Sequence, residues 1–481
     1  MAATVLLPVE STTRDLDARL VLAARWVRPG RRVVVGAPAD VVTAAEQLEG
    51  GGVYLGKSLF QGYREQAEGQ RSARDYGRVR ARGFSVAHLE DEGALLAGSR
   101  AQREHAAGRI PALAYLDTRD TLCAWGSFDQ HVYRQLRPDI AERVIVTGHP
   151  RFALYRSPLR AYYEPAAAAL RAELGPFVLV ATTTARANPI SSLERIFSAS
   201  YNYQAADPRR RLAFVRQWGH TQRQLARCVE LVHRLADEID ATIVVRPHPS
   251  EDESLYHAVL AGLDRVVVRR EGPVSPWLLA CSALLQDGCT TAVEGYLAGC
   301  PVLTYVPAEV ETAHRRPLAS WVGTECENEQ SVIDNVRRAL AGGRSQVTLP
   351  DEARELLCDL ADGDAGLDGL DALIERECPP AQPGASAELA GLGRALSLAR
   401  ARRTLAEVAR NAREAIEAGV RGSSHELRRA RAERRYARAK FDVLRRADID
   451  SRARAAARVA QRTDLAWQLL GDRLVVFEAA R

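Results

Sequence analysis

No run of apolar residues in the sequence comes near the ~20 that a membrane-spanning helix requires. The best candidate, around "PWLLACSALL", falls far short, so any membrane contact is expected from the cytoplasmic face only. The eight cysteines, at 123, 228, 281, 289, 300, 326, 358 and 378, contain no C-x-x-C pair and no regular spacing. Neither a zinc site nor a disulfide framework is expected from them, and a reducing cytoplasm is the expected location. The opening "MAATVLLPVESTTRD" has an apolar stretch too short for a secretion signal and lacks the basic flank of one. Net charge is also small. Lys and Arg number 66 against 61 Asp and Glu, a formal +5, and both signs are mixed throughout positions 1–380, which argues against nucleic acid as a partner.

What is present is an ordinary globular composition, 46% hydrophobic and 26% charged. At 481 residues the chain is too long for one core, and two domains with an appendage are expected. Short β-branched runs alternate with helix-like segments from the start, the pattern of parallel sheets with crossover helices. Thr4 to Leu7, Arg32 to Val35, Gly52 to Leu55, Phe84 to His88, Thr121 to Trp125 and Val144 to Thr147 read as strands of a first Rossmann-like domain, 1–152. The proline-bearing connector "TGHPRFALYRSPLRAYYEP" fits an interdomain crossing. A second series follows at Phe177 to Ala181, Ala241 to Val245, Arg265 to Val268, Ala283 to Gln286 and Val302 to Tyr305, giving a second Rossmann-like domain, 153–380. Residues 381–481 turn to Ala, Arg, Glu and Leu, predicting a helical basic extension. Its stretch "HELRRARAERRYARAKFDVLRRA" suits a solvated helix with internal ion pairs, a self-associating hairpin, or peripheral contact with an anionic membrane surface.

Ligands in doubly wound sheets sit at the carboxyl ends of the strands, and three stretches fall there. "RPHPSED", 246–252, follows the strand ending at Val245. Pro247 and Pro249 stiffen the backbone around His248, which beside Arg246 can donate to a phosphate. Ser250 reads as a helix N-cap ahead of acids. "QDGCTTAVEGYLAGCPVLTY" reads as strand end, glycine turn at Asp287 and Gly288, hydroxyl pair Thr290 and Thr291, helix, glycine stop and strand. Amides and hydroxyls at that helix start favour an anion, and Glu294, one turn in, suits ribose hydroxyls. Paired, the two stretches point to a nucleotide phosphate. In the first domain "HLEDEGALLAG" clusters Glu90, Asp91 and Glu92 before a glycine, where carboxylates raise one another's pKa and one can take a proton from a sugar hydroxyl. Glu10, Arg14 and Asp17 follow the first strand and Lys57 follows the third. They are candidates for the acceptor side of a cleft, with helix capping as the plain alternative.

"LLPVESTTRDLDARL", "EDEG", "VTGHPRF", "RPHPSED" and "DGCTTAVEGYLAG", in this order over residues 1–345, resemble GT-B glycosyltransferases of surface carbohydrate (capsule and lipopolysaccharide) biosynthesis. The pairing of an acidic-acidic-glycine motif with a His-Pro motif is similar to CMP-Kdo transferases and bacterial CMP-sialyltransferases. The resemblance implies an α/β GT-B fold, two Rossmann-like domains with a central cleft, plus the C-terminal helical extension. It implies that His248 contacts the CMP phosphate with Thr290 and Thr291, and that Asp91 or Glu92 is the catalytic acid or base. The expected activity is metal-independent, cofactor-free transfer of a 2-keto sugar acid, Kdo or a related nonulosonic acid, from its CMP form to a glycan acceptor. A CDP-glycerol or CDP-ribitol type polyol phosphotransferase and a non-catalytic assembly module are the alternatives. The loop "ATTTARANPISS" and the stretch "RRPLASW" have no assignment.

Overall fold

The computed structural model describes residues 2–57, 66–91, 93, 96–108, 116–198, 201, 203–307, 316–344, 347–361, 365–381, 388–421 and 441–480. The first lobe is built on β1 (Ala3–Pro8), β2 (Arg31–Gly36), β3 (Gly52–Gly56), β4 (Phe84–Leu89), β5 (Thr121–Ala124) and β6 (Val144–Val146). These strands are almost wholly apolar because helices cover both faces, as in parallel sheets generally. All six residues of β1 are buried. The second lobe carries β7 (Phe177–Ala181), β8 (Thr242–Arg246), β9 (Val266–Val268), β10 (Ala283–Gln286), β11 (Val302–Tyr305) and β12 (Thr324–Cys326). Every strand of the sequence reading is found within a residue or two of its expected limits. β12, three residues long with a central glutamate, lacks a run long enough to read as a strand.

Strand order is β2-β1-β3-β4-β5-β6 in the first sheet and β12-β11-β10-β7-β8-β9 in the second, with parallel pairing between neighbours in both. The order reverses between β1 and β3 in one lobe and between β7 and β10 in the other. Those two switch points are where crossover helices diverge to opposite faces and leave a crevice beyond the strand ends. Two doubly wound lobes facing one another make the GT-B architecture. The apolar core is continuous across their junction, with Trp125, Phe152 and Tyr155 in the same packed cluster as Trp277, Ala292 and Val293.

The boundaries require two corrections. Residues 351–361 and 365–381, assigned by sequence to the second domain, pack on the first. Helix Asp351–Leu356 packs on helix Ser127–Leu136, Asp371 accepts hydrogen bonds from Arg25 and from the Trp26 indole at 2.7 Å, and Glu375 pairs with the buried Arg31 at 2.7 Å. The C-terminal extension, moreover, is not wholly helical. Helices Glu388–Arg421 and Arg446–Val459 are followed by β13 (Leu465–Leu470) and β14 (Leu474–Ala479). β14 pairs antiparallel with β2, Val475 opposite Val35, so the first sheet has eight strands. The run "LVVFEA" of β14 has its first four residues buried. It covers what would otherwise be the bare edge of β2, and β13 forms the new edge outside it. The basic stretch itself, up to Lys440, lies outside the described residues. No helix among the described residues is long and apolar enough to cross a membrane.

Candidate active site

In the second lobe a pocket of ≈ 710 Å³, open solvent at its mouth included, lies at the ends of β7, β10 and β11. This is the switch point of the sheet. Thr182, Gln286, Asp287, Gly288 and Thr304 line its floor, and His220, Gln224 and Arg227 reach it from helix Pro208–Glu238, with Arg316 opposite. Gly288 makes the turn out of β10 at φ +113, a conformation that a side chain resists. The Gln286 amide stiffens this turn. Its Oε1 accepts the backbone N–H groups of Gly288 and of Cys289 (3.0 Å), and its Nε2 donates to Thr304 at 2.5 Å. The helix then starts at Thr291, with Thr290 as its N-cap, where the sequence placed it. Two of the amides expected to meet an anion are thus spent on Gln286, and the Thr291 hydroxyl and amide both lie against the Cys289 thiol.

Asp287 accepts the Thr183 hydroxyl and burial raises its pKa. Thr182 and Thr184 in turn bind the buried Glu251, whose second oxygen also accepts the Tyr256 hydroxyl at 2.7 Å. Burial pushes Glu251 up to about 7. The three threonines of the loop without a sequence assignment therefore tie the β10 turn to the histidine loop. A signal was available, since three hydroxyl residues straight after a buried strand cannot all face solvent on a crossover.

His248 is exposed at the end of β8, two strands from β10, or roughly 10 Å. Its Nδ1 accepts the Ser250 N–H at 3.2 Å, which fixes the neutral tautomer with the proton on Nε2. Neither His248, Thr290 nor Thr291 lines the pocket itself; they border the same switch point. Ser250 is not the N-cap. That place is taken by Asp252, whose side chain accepts from the Ser254 N–H at 3.0 Å, and the helix runs Glu253–Val259. Arg246 turns away from the loop, donating to the Glu271 and Gly272 carbonyls and stacking on Trp277 at 5.5 Å. Burial lowers its pKa to about 10. Its expected part in phosphate binding is not what this geometry provides.

In the first lobe Glu10 and Lys57 stand beyond β1 and β3, on either side of the switch point, and pair at 2.9 Å. Arg14 reaches Glu10 at 3.4 Å and Asp15 at 2.7 Å. Asp17 is elsewhere. It accepts the Tyr162 and Tyr163 hydroxyls at 2.9 and 3.1 Å and the Arg452 guanidinium at 2.8 Å, clamping the first helix to the interdomain crossing and the C-terminal helix. It is a structural anchor and not an acceptor-side residue, because these three donors occupy both of its carboxylate oxygens.

Asp91 is 3% exposed. It accepts from His149 Nε2 at 3.0 Å and from Arg19 at 3.4 Å. Burial alone raises its pKa, but the His149 hydrogen bond and the Arg19 and Arg14 charges outweigh it and hold the carboxyl well below the usual range. His149 is the complement. Burial lowers its pKa to about 3, and its Nδ1 accepts the Arg151 N–H at 3.2 Å, so the ring is neutral and donates from Nε2. A carboxylate so committed is no acid and a poor base, which contradicts Asp91 as the proton-transfer group. Glu92 lies outside the described residues. Sequence alone does not single out His149 or Arg151, although both lie in "VTGHPRF".

Glu294 is 4% exposed. Its Oε1 accepts the Tyr155 hydroxyl at 3.3 Å and faces Arg151 Nε at 3.3 Å; the Tyr155 and Ser275 hydroxyls are hydrogen-bonded at 2.8 Å. Its carboxylate therefore bridges the lobes instead of facing the pocket, and burial raises its pKa against the opposing charge of Arg151. This replaces the ribose contact expected of it.

No protein-family model matches the chain, and a search of curated proteins returns no match. Among solved structures, it is similar to the Methanocaldococcus jannaschii UDP-GlcNAc 2-epimerase in complex with UDP-GlcNAc and UDP, at 12% identity and TM-score 0.46 over 78% of this chain and 99% of that one. The S. aureus MnaA–UDP structure gives 14% identity and TM-score 0.43, over 77% and 96%. The wall teichoic acid polymerase TagF gives 13% and 0.36, over 61% and 68%. Likeness at this level is weak, and the fold assignment stands on the strand orders themselves.

Proposed function

We propose that the chain is a glycosyltransferase that moves a 2-keto sugar acid from its CMP-activated form to a surface glycan acceptor. The observation that carries this reading is the second-lobe switch point. A pocket there is bordered by a histidine loop and a hydroxyl-bearing helix start that are tied together through Glu251, the threonine triplet and Asp287. His248, with Nδ1 accepting from Ser250, presents its Nε2–H to the leaving phosphate. Thr290 and Thr291 add hydroxyl donors at the positive end of their helix. Donors aimed at the charge that develops on the leaving group lower the barrier electrostatically. On the first-lobe side Glu10, Arg14 and Lys57 form a charged ring at the facing switch point, suited to a polar acceptor. Glu92 is the acid or base of the pair that the motif offers.

Incubating the protein with CMP-Kdo labelled in the sugar, together with a glycan acceptor, tests the reading. Labelled glycoside and free CMP in equal amounts are expected. Release of CMP with a new phosphodiester from CDP-glycerol identifies a polyol phosphotransferase instead, and no product from any activated cytidylate leaves a non-catalytic module.

A further inference from the structure

Arg151 is the least explained residue in the protein. It is 3% exposed, yet among the described residues neither terminal nitrogen of its guanidinium has a hydrogen-bond partner, and its Nε meets none of good geometry. Its ion-pair partner is Glu294, at 3.3 Å from Nε. A buried donor left without a partner is destabilising, so such a group in a native fold calls for a reason. Its position supplies one. Arg151 follows the His149 turn beyond β6 in the first lobe, and Glu294 lies one turn inside the helix that starts at Thr291 in the second. The pair thus joins the lobes within about one helical turn, roughly 5 Å of rise, of the Thr290–Thr291 hydroxyls. Arg14 is also close enough to act on both Glu294 and Asp91.

We infer that Arg151 is a binding group for the phosphate of the nucleotide donor, and that the Glu294 carboxylate holds its place until the donor arrives. A guanidinium presents paired N–H donors that match two oxygens of a phosphate. Glu294 engages one edge through Nε and leaves the two terminal nitrogens, which is the edge a phosphate takes. When the donor binds between the lobes, its oxygens take the two terminal nitrogens and draw the guanidinium away from Glu294, whose carboxyl stays on the Tyr155 hydroxyl. The inference deepens the proposed donor site and rests on it for the identity of the nucleotide.

Calorimetric titration of the full chain with CMP and with cytidine isolates the phosphate contribution. Wild type is expected to prefer CMP. Arg151→Met is expected to weaken CMP on the order of 100-fold, the scale of one buried charge-assisted pair, while cytidine affinity of the folded variant is unchanged. Glu294→Gln removes the competing carboxylate and is expected to tighten CMP several-fold. A folded Arg151→Met that keeps the full preference for CMP over cytidine overturns the assignment and leaves the donor reading standing. If Arg151→Met does not fold, Glu294→Gln decides: unchanged or weaker CMP binding overturns the assignment. Wild type that fails to distinguish CMP from cytidine overturns both, and the same pair of titrations with UDP and uridine then shows whether only the base was misjudged.

Discussion

Removing the Asp17 carboxylate separates a structural from a functional role for the N-terminal polar residues. Its side chain is 5% exposed and that of Arg452 24%. Three donors converge on it, two neutral hydroxyls and one guanidinium. Burial works against the Arg452 charge, but Asp17 and Asp448 outweigh it and raise its pKa. With about 1 kcal/mol for each neutral hydrogen bond and about 2 for the charged one, Asp17→Ala is expected to cost about 4 kcal/mol. For a lobe of this size each kcal/mol moves Tm by roughly 2–4 °C, so the first calorimetric transition is expected to fall by about 10 °C. Asp17→Asn, which keeps an acceptor but no charge, is expected to fall by about half as much. CMP affinity of either variant below its transition is expected to match wild type. A Tm within about 2 °C of wild type, with CMP or acceptor binding lost, refutes the clamp and returns Asp17 to the acceptor side.

Three further outcomes follow from the same geometry. His149, with its pKa lowered from 6.5 to about 3 by burial, favours the fold fully above pH 6.5, and that contribution is lost as pH falls toward 3, because the unfolded chain takes up the proton first. Stability measured by denaturant from pH 6 to 4 is expected to drop about 1.4 kcal/mol per unit more steeply in wild type than in His149→Gln; parallel curves contradict a neutral His149. Deleting residues 441–481 strips β14 from β2 and uncovers the buried Val475, Val476 and Phe477 contacts, so aggregation on expression is expected, read by size-exclusion chromatography, and a soluble monomer with normal Tm contradicts an integral C-terminus. Gln286→Ala leaves two backbone N–H groups in the β10 turn without their acceptor. A loss of about 2–4 kcal/mol in chemical denaturation is expected, and no change shows that the turn does not depend on that amide.

The fold was legible because its signals are local and repeated. Runs such as Thr242-Ile243-Val244-Val245 and Val33-Val34-Val35 are apolar on both faces, and the helix Thr291–Ala298, closed by Gly299 at φ +77, falls where its glycine stop indicated. The C-terminal strands were hidden because "LAWQLL" and "LVVFEA" follow a long stretch of helical composition, and strand pairing back to β2 is a tertiary fact no local pattern carries. Sites behaved differently. Sequence placed His248, Asp287, Thr290 and Thr291 at strand ends correctly, since the rule that ligands gather there depends on topology alone. It could not tell which polar side chains turn inward. Arg246 bonds to carbonyls twenty-five residues away, Asp17 meets a partner at 452, and Glu294 meets Arg151 across the lobes. Those pairings follow from packing between elements distant in sequence.

The most direct measurement is the position of CMP in crystals of the full chain grown or soaked with it. The account predicts cytosine and ribose in the pocket at the ends of β7, β10 and β11, with the phosphate between His248 and the Thr290–Thr291 helix start. CMP bound in the first lobe, or in the second with its phosphate directed away from both segments, contradicts it.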